Sequence, residues 1–364
     1  MAKKTSKTTS SQNGGGALKK LIPALILLLV AGTLFGVMTR KPPKPPLEFQ
    51  QGVGYATWSH TGYATKASNE SIEKLVELDG NWMSVLVTWY QSTCWSGDIH
   101  RGDRTPSDKA LIQAIRRAHD LGLKVMLKPH LDIIDQSDGS WRGEIACARE
   151  PDWEKWFREY TKYMMHYIKI ANREKVEMFC VGTELSTTAT VKGYMWSDMI
   201  KKLRSKYFGL MTYAAHWDRY MDIRFWGDLD FIGINAYFPL TKKMEPTYDE
   251  LLAGWVQWVN EMEVFQKSQD KLVIFPEAGC TSADGAAIRP WEHVARGEVN
   301  TKLQADFYTA LLNTFWGKEW FYGLYWWYWG TNPKMGGKYN RGFTPQNKLA
   351  EVVIDKWYSK PLPR

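Results

Sequence analysis

The sequence has few residues of the kinds that hold metals, and no complete dinucleotide loop. It contains four cysteines and seven histidines, which form neither a Cys-x-x-Cys pair nor the His-Glu-x-x-His pattern of zinc enzymes. The stretch GVGYAT (52–57) begins like a dinucleotide-binding loop, but Thr57 stands where the third glycine belongs. We therefore predict neither a metal nor a nucleotide cofactor.

Excess charge is also nearly absent from most of the chain. The formal net charge is +8, yet residues 1–50 hold eight lysines or arginines against one acid, Glu48. Residues 51–364 then have 47 minus 8, or 39, basic residues against 39 minus 1, or 38, acidic ones, a net charge of +1. A protein that binds nucleic acid carries its positive excess on the folded domain. The charge distribution therefore argues against a nucleic-acid partner.

One long apolar run lies near the N-terminus. Residues 21–38 contain no charge over 18 residues, close to the shortest helix that spans a bilayer. Five lysines precede the run and three basic residues follow it, a bias that favours a cytoplasmic N-terminus and an exported body. A cleaved signal peptide is the alternative, but residues 31–33 make a poor cleavage site. We predict an uncleaved, single-pass transmembrane signal anchor in the cytoplasmic membrane.

The neighbouring segments fit this interpretation. Residues 1–20 are predicted to be a disordered, basic cytoplasmic tail, and the proline-rich residues 39–50 a stiff stalk. Residues 51–358 are predicted to form one catalytic domain outside the cytoplasm, periplasmic or extracellular, followed by a short tail at 359–364. We expect a monomer.

The body of the chain alternates apolar runs with amphipathic segments eight times. Eight strand–helix units predict a (β/α)8 TIM barrel, whose active sites lie at the carboxyl ends of the strands. The predicted strands are 52–58, 82–90, 124–132, 176–184, 209–217, 231–238, 272–279 and 321–329. The predicted helices are 69–79, 107–121, 152–170, 195–207, a short one around Asp222, 248–266, 303–315 and 346–358.

Two glutamates follow the apolar runs of strands four and seven. Glu184 lies in VEMFCVGTEL and Glu277 in KLVIFPEAG. These strands face each other across an eight-stranded barrel, so both carboxylates can flank a bound sugar. A retaining glycosidase uses two carboxyl groups about 5 Å apart, one as acid and one as nucleophile. Either glutamate alone could form a rim salt bridge, but the pair favours catalysis.

Aromatic residues are abundant, with 19 tryptophans in 364 residues. Sugar rings stack their apolar faces on aromatic planes, and we expect such platforms at the ends of the strands. Each tryptophan could instead fill the core. The candidate platforms are Trp58, Trp89, Trp217, Trp327 and Trp329.

Polar residues cluster at the end of the third predicted strand. Lys128, His130 and Asp132 alternate there and are predicted to share one face and bind sugar hydroxyls. Arg142, in the loop that follows, is predicted to do the same, with a surface ion pair as the alternative.

The cysteines predict one disulfide. Cys94 and Cys147 fall in the long loops after strands two and three, which are neighbours on one face of a barrel, and export permits a bridge. Cys180 lies within a strand and is predicted to be a small buried apolar residue.

Several motifs carry a family resemblance: GTEL, PEAG, GINAYF, KPH followed by WRGEI, and YWWYW. Together they resemble glycoside hydrolase family 113, in the clan of retaining (β/α)8 enzymes, over about residues 50–358. Known members are endo-β-1,4-mannanases. The resemblance implies that Glu184 is the acid/base, that Glu277 is the nucleophile and that Trp327 lies under the reacting sugar. Thr183 stands where many families of the clan have asparagine.

The same resemblance gives a role to the end of strand six. Tyr237 matches a tyrosine that hydrogen-bonds the nucleophile and keeps it ionised. A buried ring with a solvated hydroxyl is the alternative. Asn235 shares its strand face and is expected to bond the substrate.

The sequence thus predicts a membrane-anchored retaining glycosidase, an endo-β-1,4-mannanase acting on a polysaccharide or oligosaccharide. Two alternatives stay open. One is the same mechanism on another β-linked hexose or aminosugar polymer of the cell envelope. The other is a carbohydrate-binding barrel without turnover, although such proteins usually lose a carboxylate.

Overall fold

The computed structural model describes residues 1–2, 48–295 and 297–363. Eight parallel strands close into a barrel in which each strand pairs with its sequence neighbours and the last pairs with the first. The strands are β1 (Gln50–Ala56), β2 (Trp82–Gln91), β3 (Lys124–Ile133), β4 (Met178–Thr183), β5 (Leu210–His216), β6 (Phe231–Ala236), β7 (Leu272–Ala278) and β8 (Phe321–Gly330).

Helices follow most of the strands and pack against the outside of the barrel. After β5 the chain forms two short 3₁₀ turns, Tyr220–Asp222 and Trp226–Asp228, in place of a long helix. The α-helices of the described chain are α1 (Lys66–Glu77), α2 (Asp108–Asp120), α3 (Glu150–Arg173), α4 (Ser186–Val191), α5 (Gly193–Arg204), α6 (Tyr248–Gln269), α7 (Thr301–Phe315) and α8 (Leu349–Tyr358).

The predicted barrel is confirmed. Every strand boundary lies within two residues of its prediction and every predicted α-helix boundary within three. The sequence pattern did not reveal the short helix α4, because six residues are too few to show helical periodicity.

Local capping explains where several helices begin and end. The Ser107 side chain accepts a hydrogen bond from the Ala110 N–H and starts α2. Thr247 and Glu250 form a reciprocal capping box at the start of α6. Asp270, with φ 48°, ends that helix in the left-handed region.

The interior of the barrel changes character along its axis. Toward the amino ends of the strands it is filled mainly by apolar side chains, while at the carboxyl ends the inward positions become polar, as at Lys128 on β3 and Glu277 on β7. The fold therefore concentrates polar groups where barrel enzymes bind substrates. The inner apolar cluster is Trp82, Met126, Met178, Cys180, Leu210, Ala214, Phe231, Ile274 and Tyr325.

The predicted membrane anchor at 21–38 lies outside the described residues, together with residues 3–20 of the tail and most of the stalk. Among the described residues, no helix is both long and apolar enough to cross a membrane. The anchor, tail and stalk remain predictions.

All four cysteines are free thiols in the structure, Cys94 and Cys147 included. Their two loops are adjacent, since the Ala146 N–H donates to the Cys94 carbonyl at 3.1 Å. Burial, and then the neighbouring Asp152, raise the pKa of the Cys147 thiol to about 11, so it is protonated and weakly reactive at neutral pH. The Cys94–Cys147 bridge is absent from the structure and stays a prediction. Cys180 is fully buried inside the barrel, as expected.

A glycine in β4 tests how tightly the barrel is packed beside the site. A Cβ at Gly182 would lie 2.7 Å from the Trp196 ring and 2.9 Å from that of Tyr213, both buried. Because neither ring can move freely, we expect Gly182→Ala to destabilise the fold by about 1–3 kcal/mol and to lower activity by displacing the end of β4.

The matched control is Gly193→Ala in α5, where the added Cβ would lie 3.6 Å from Arg224, an ordinary contact. Its free energy of unfolding should change by no more than about 1 kcal/mol. Thermal unfolding compares the two variants with the parent. Equal melting temperatures for both would contradict the packing described here.

Candidate active site

A cleft lies at the carboxyl ends of the strands. It consists of two adjoining cavities of about 680 and 640 Å³ that have six lining residues in common. Glu184, Glu277, Tyr237 and Trp217 line the first cavity, and Trp58 lines the second. The shared wall consists of Arg104, Asp132, Gln136, Arg142, His293 and Trp327.

Glu277, the next-to-last residue of β7, is held by two buried donors. The Lys128 ammonium donates to Oε1 at 2.6 Å, and the Tyr237 hydroxyl donates to Oε2 at 2.8 Å. The same ammonium donates to the Pro276 carbonyl at 3.3 Å. Since the Lys128 side chain is fully buried and that of Glu277 is 5% exposed, this ion pair is almost completely removed from water. The two hydrogen bonds thus fix the position of the carboxylate.

Two neutral groups complete the surroundings of Glu277. Burial, and then the carboxylates of Glu277 and Glu184, raise the pKa of Tyr237 well above its usual value, so the hydroxyl remains a donor. His130 Nε2 lies 3.8 Å from Glu277 Oε1, beyond hydrogen-bond reach. Burial, and then the charges of Lys128 and Arg142, lower the pKa of His130 well below its usual value. Its neutral ring is parallel to Trp327, with centroids 6.1 Å apart.

Glu184 follows β4 directly and has an unusual backbone. Its φ is 52°, in the left-handed region that residues other than glycine rarely adopt. The Glu184 N–H donates to the Ala214 carbonyl of β5 at 2.8 Å, which holds the backbone in this conformation. Strained residues of this kind concentrate at functional sites. Here the turn ends the strand and places the carboxyl group in the cleft.

Arg142 contacts the Glu184 carboxyl from the loop after β3. Its Nη1 donates to Glu184 Oε2 at 3.3 Å, and its Nη2 lies 3.8 Å from Asp132 Oδ2. Burial lowers the pKa of this guanidinium, but Asp132, Glu184 and Glu277 raise it by more, so Arg142 stays charged. The loop is tied to α4, where the Thr187 hydroxyl donates to the Gly143 carbonyl at 2.9 Å. Helix α4, which the sequence did not predict, thus supports the loop that carries Arg142.

Most of the residues proposed from the sequence meet in this cleft, but two lie beneath its floor. Lys128 and Asn235 have no exposed surface and line neither cavity. Their predicted contact with substrate is therefore corrected. Both amide atoms of Asn235 lack a hydrogen-bond partner among the described residues. His130 and Asp132 do reach the cleft.

Two predicted aromatic platforms lie on the outer side of the barrel. Trp89 donates its Nε1–H to the Tyr167 hydroxyl at 2.8 Å, and Trp329 donates to the Ser71 carbonyl at 3.0 Å. Successive side chains of β2 point to opposite sides of the sheet. Since Thr88 lines the cleft, its neighbour Trp89 points outward. A register shift in the β1–β8 pairing breaks the alternation that would have placed Trp329 beside Trp327. Neither residue lines the cleft.

Sequence reasoning missed the contribution of the loops. Trp291 stacks on Trp217 with centroids 5.3 Å apart, and the Trp141 ring lies 5.3 Å from that of His216. Loop residues follow no strand or helix period, so only their place in long segments after strands could have suggested them. The other unpredicted lining residues are Thr88, Tyr90, Gly102, Asp103, Arg104, Ile133, Ile134, Gln136, Asp218, His293 and Tyr328.

The cleft offers acid/base and nucleophilic chemistry. One carboxylate is fixed by a lysine and a tyrosine, and the second carboxyl group lines the same cavity from the end of β4. No cluster of three or more candidate metal ligands occurs among the described residues.

Comparison with known proteins identifies related enzymes. The model of Glycoside Hydrolase Family 113 matches residues 53–348. A solved GH113 beta-mannanase, AaManA from Alicyclobacillus acidocaldarius in complex with ManMIm, is 31% identical, with 86% of this chain and 98% of that chain covered and a TM-score of 0.77. A GH113 beta-1,4-mannanase solved as a complex is 29% identical over 86% of this chain and 100% of that chain, also with a TM-score of 0.77.

More distant structures share the fold alone. A beta-glucuronidase from Faecalibacterium prausnitzii is 14% identical, with 88% of this chain and 50% of that chain covered and a TM-score of 0.57. The search of curated proteins gave no match. Since the family model covers 296 of the 364 residues, from 53 to 348, the chain belongs to glycoside hydrolase family 113.

Proposed function

We propose that this glycoside hydrolase cleaves β-1,4-linked mannan by double displacement, with Glu277 as nucleophile and Glu184 as acid/base. The observation that carries the proposal is the pair itself: both carboxyl groups line one cleft from two separate strands, Glu277 on β7 and Glu184 at the end of β4. The mannanase structures that share 29–31% identity with the chain support the choice of substrate.

In the first half of the reaction, Glu184 gives its proton to the glycosidic oxygen as the bond to the anomeric carbon breaks. Glu277 attacks that carbon and forms a covalent glycosyl-enzyme. In the second half, Glu184 takes a proton from water, whose oxygen attacks the same carbon. The bond to Glu277 breaks and its electron pair returns to the carboxylate. The product keeps the β-configuration because the carbon is inverted twice.

The aromatic lining supports action on a chain rather than on a single sugar. Trp327 lies in the wall common to both cavities, next to the carboxylates, and Trp58 meets it edge to face at 6.4 Å. The stacked pair Trp217 and Trp291 lines the first cavity only. Platforms in both cavities give room for sugar units on each side of the scissile bond, as an endo-acting enzyme requires.

We also propose that the domain lies outside the cytoplasmic membrane, anchored through residues 21–38. The support is the apolar run and the excess of basic residues before it. The full chain should sediment with membranes, and protease added to spheroplasts should remove the domain. Recovery of the full chain in the soluble cytoplasmic fraction would contradict this location.

The two carboxyl groups should respond differently to substitution. Glu184→Gln loses acid assistance, so it should keep activity only on aryl glycosides with good leaving groups. Glu277→Ala should lose about 10⁴-fold or more in turnover, because no nucleophile remains. Azide should restore turnover to Glu277→Ala with inversion of configuration, as product NMR would show. Parent-like activity of Glu277→Ala would contradict the assignment.

The substrate assignment is tested by a polysaccharide screen on residues 47–364. We expect early release of short β-configured oligosaccharides from mannan and glucomannan, because a cleft with aromatic platforms in both cavities can hold several units of a chain. Reducing-end assays and product sizing over time would follow the release. Release from cellulose, chitin or an envelope glycan, with none from mannan, would move the enzyme to another β-linked hexose or aminosugar polymer.

A further inference from the structure

Lys128 is a buried cation in contact with the proposed nucleophile. Its side chain has no exposed surface, and its Nζ donates to Glu277 Oε1 at 2.6 Å and to the Pro276 carbonyl at 3.3 Å. A buried ammonium without a partner is strongly unfavourable, so this residue depends on the carboxylate that it contacts. Since Lys128 lines neither cavity, it cannot act by binding the sugar directly.

The other groups around Glu277 do not duplicate this charge. His130, also from β3, and Tyr237, after β6, are neutral for the reasons given above. Arg142 makes its hydrogen bond to Glu184 rather than to Glu277, although the charge of Glu277 also acts on it. Among the described residues, Lys128 is therefore the one positive charge within hydrogen-bond distance of Glu277.

We propose that Lys128 is the positioning residue of the nucleophile. Its ammonium keeps the Glu277 carboxylate ionised and oriented before attack, and stabilises the same carboxylate as the leaving group when the glycosyl-enzyme bond breaks. This inference rests on the proposed role of Glu277.

The charge on Glu277 changes twice in the reaction, and Lys128 responds to both changes. When a Glu277 oxygen bonds to the anomeric carbon, the Glu184 proton goes to the departing oxygen and the carboxylate becomes a neutral ester. The ammonium then keeps the Pro276 carbonyl and the ester as hydrogen-bond acceptors. When water attacks, the carbon–oxygen bond breaks and its electron pair returns to Glu277, where the ammonium again faces a full negative charge. Lys128 transfers no proton.

Removing the charge should change the pH dependence of catalysis. A neighbouring cation favours the ionised form of a carboxyl group. In Lys128→Met, protonation of Glu277 should therefore begin at higher pH, and the acid limb of the kcat/KM profile should move up by about one pH unit or more. At neutral pH, kcat/KM should fall about 10²-fold, since one fixed charge at the reacting group is lost.

The matched control is Lys124→Met, at the amino end of the same strand. Lys124 Nζ lies 2.6 Å from Glu48 Oε2, the same separation as in the Lys128–Glu277 pair, but away from the cleft. This variant should keep the parental pH profile. A folded Lys128→Met whose acid limb coincides with that of the parent would overturn the proposal, whatever its residual activity.

A second variant keeps the test decisive if Lys128→Met does not fold. Lys128→Gln retains a hydrogen-bond donor without the charge, and the same upward shift of the acid limb is expected. An unmoved limb in Lys128→Gln would equally overturn the role of the ammonium. Azide rescue of Glu277→Ala reports on the nucleophile separately, so failure of that assignment is distinguishable from failure of this one.

Discussion

A buried ammonium is strongly unfavourable unless acceptor groups meet it, and the Lys128–Glu277 ion pair is the contact on which this site depends. Breaking such a pair leaves an uncompensated buried charge, at a cost of about 3–5 kcal/mol. The pair also joins β3 to β7 across the interior, since the ammonium contacts both Glu277 and the Pro276 carbonyl. One side chain on β3 thus holds the end of β7 that carries the attacking group.

The two carboxyl groups occupy environments that suit different roles. Glu277 accepts short hydrogen bonds on both oxygens from buried donors, an arrangement that holds the carboxyl group in one orientation. Glu184 has one longer contact, 3.3 Å from Arg142, and sits on a backbone turn at the edge of the cleft. The proposed acid/base must gain and lose a proton during the reaction, which fewer and longer hydrogen bonds to the carboxyl group allow. When two carboxyl groups of one site lie in different surroundings, that difference indicates which one acts as the acid and which as the nucleophile.

The sequence was sufficient to predict the barrel because strand-like apolar runs recur eight times, and Glu184 and Glu277 lie at the ends of two such runs, close to Gly182 and Pro276. Prediction from the sequence failed where the alternation of side chains along a strand is interrupted, or where that alternation was not used to decide which side a residue faces. Trp89 faces outward by simple alternation, whereas Trp329 faces outward because of a register shift that no local pattern predicts. The prediction put Lys128 on the correct face of β3 but in contact with substrate, whereas the residue is fully buried. Its burial depends on the neighbouring strands, which a local sequence pattern does not describe. Trp291 belongs to a loop, where no period exists.

The most direct test of this account is a crystal structure of the enzyme trapped with a 2-deoxy-2-fluoro-mannosyl fluoride, which slows release of the covalent intermediate. The account predicts a bond between the anomeric carbon and one oxygen of Glu277, with Lys128 Nζ and the Tyr237 hydroxyl still within hydrogen-bond distance of that side chain. A sugar bound covalently to any other residue, or a Lys128 side chain that has moved away from the esterified Glu277, would contradict it.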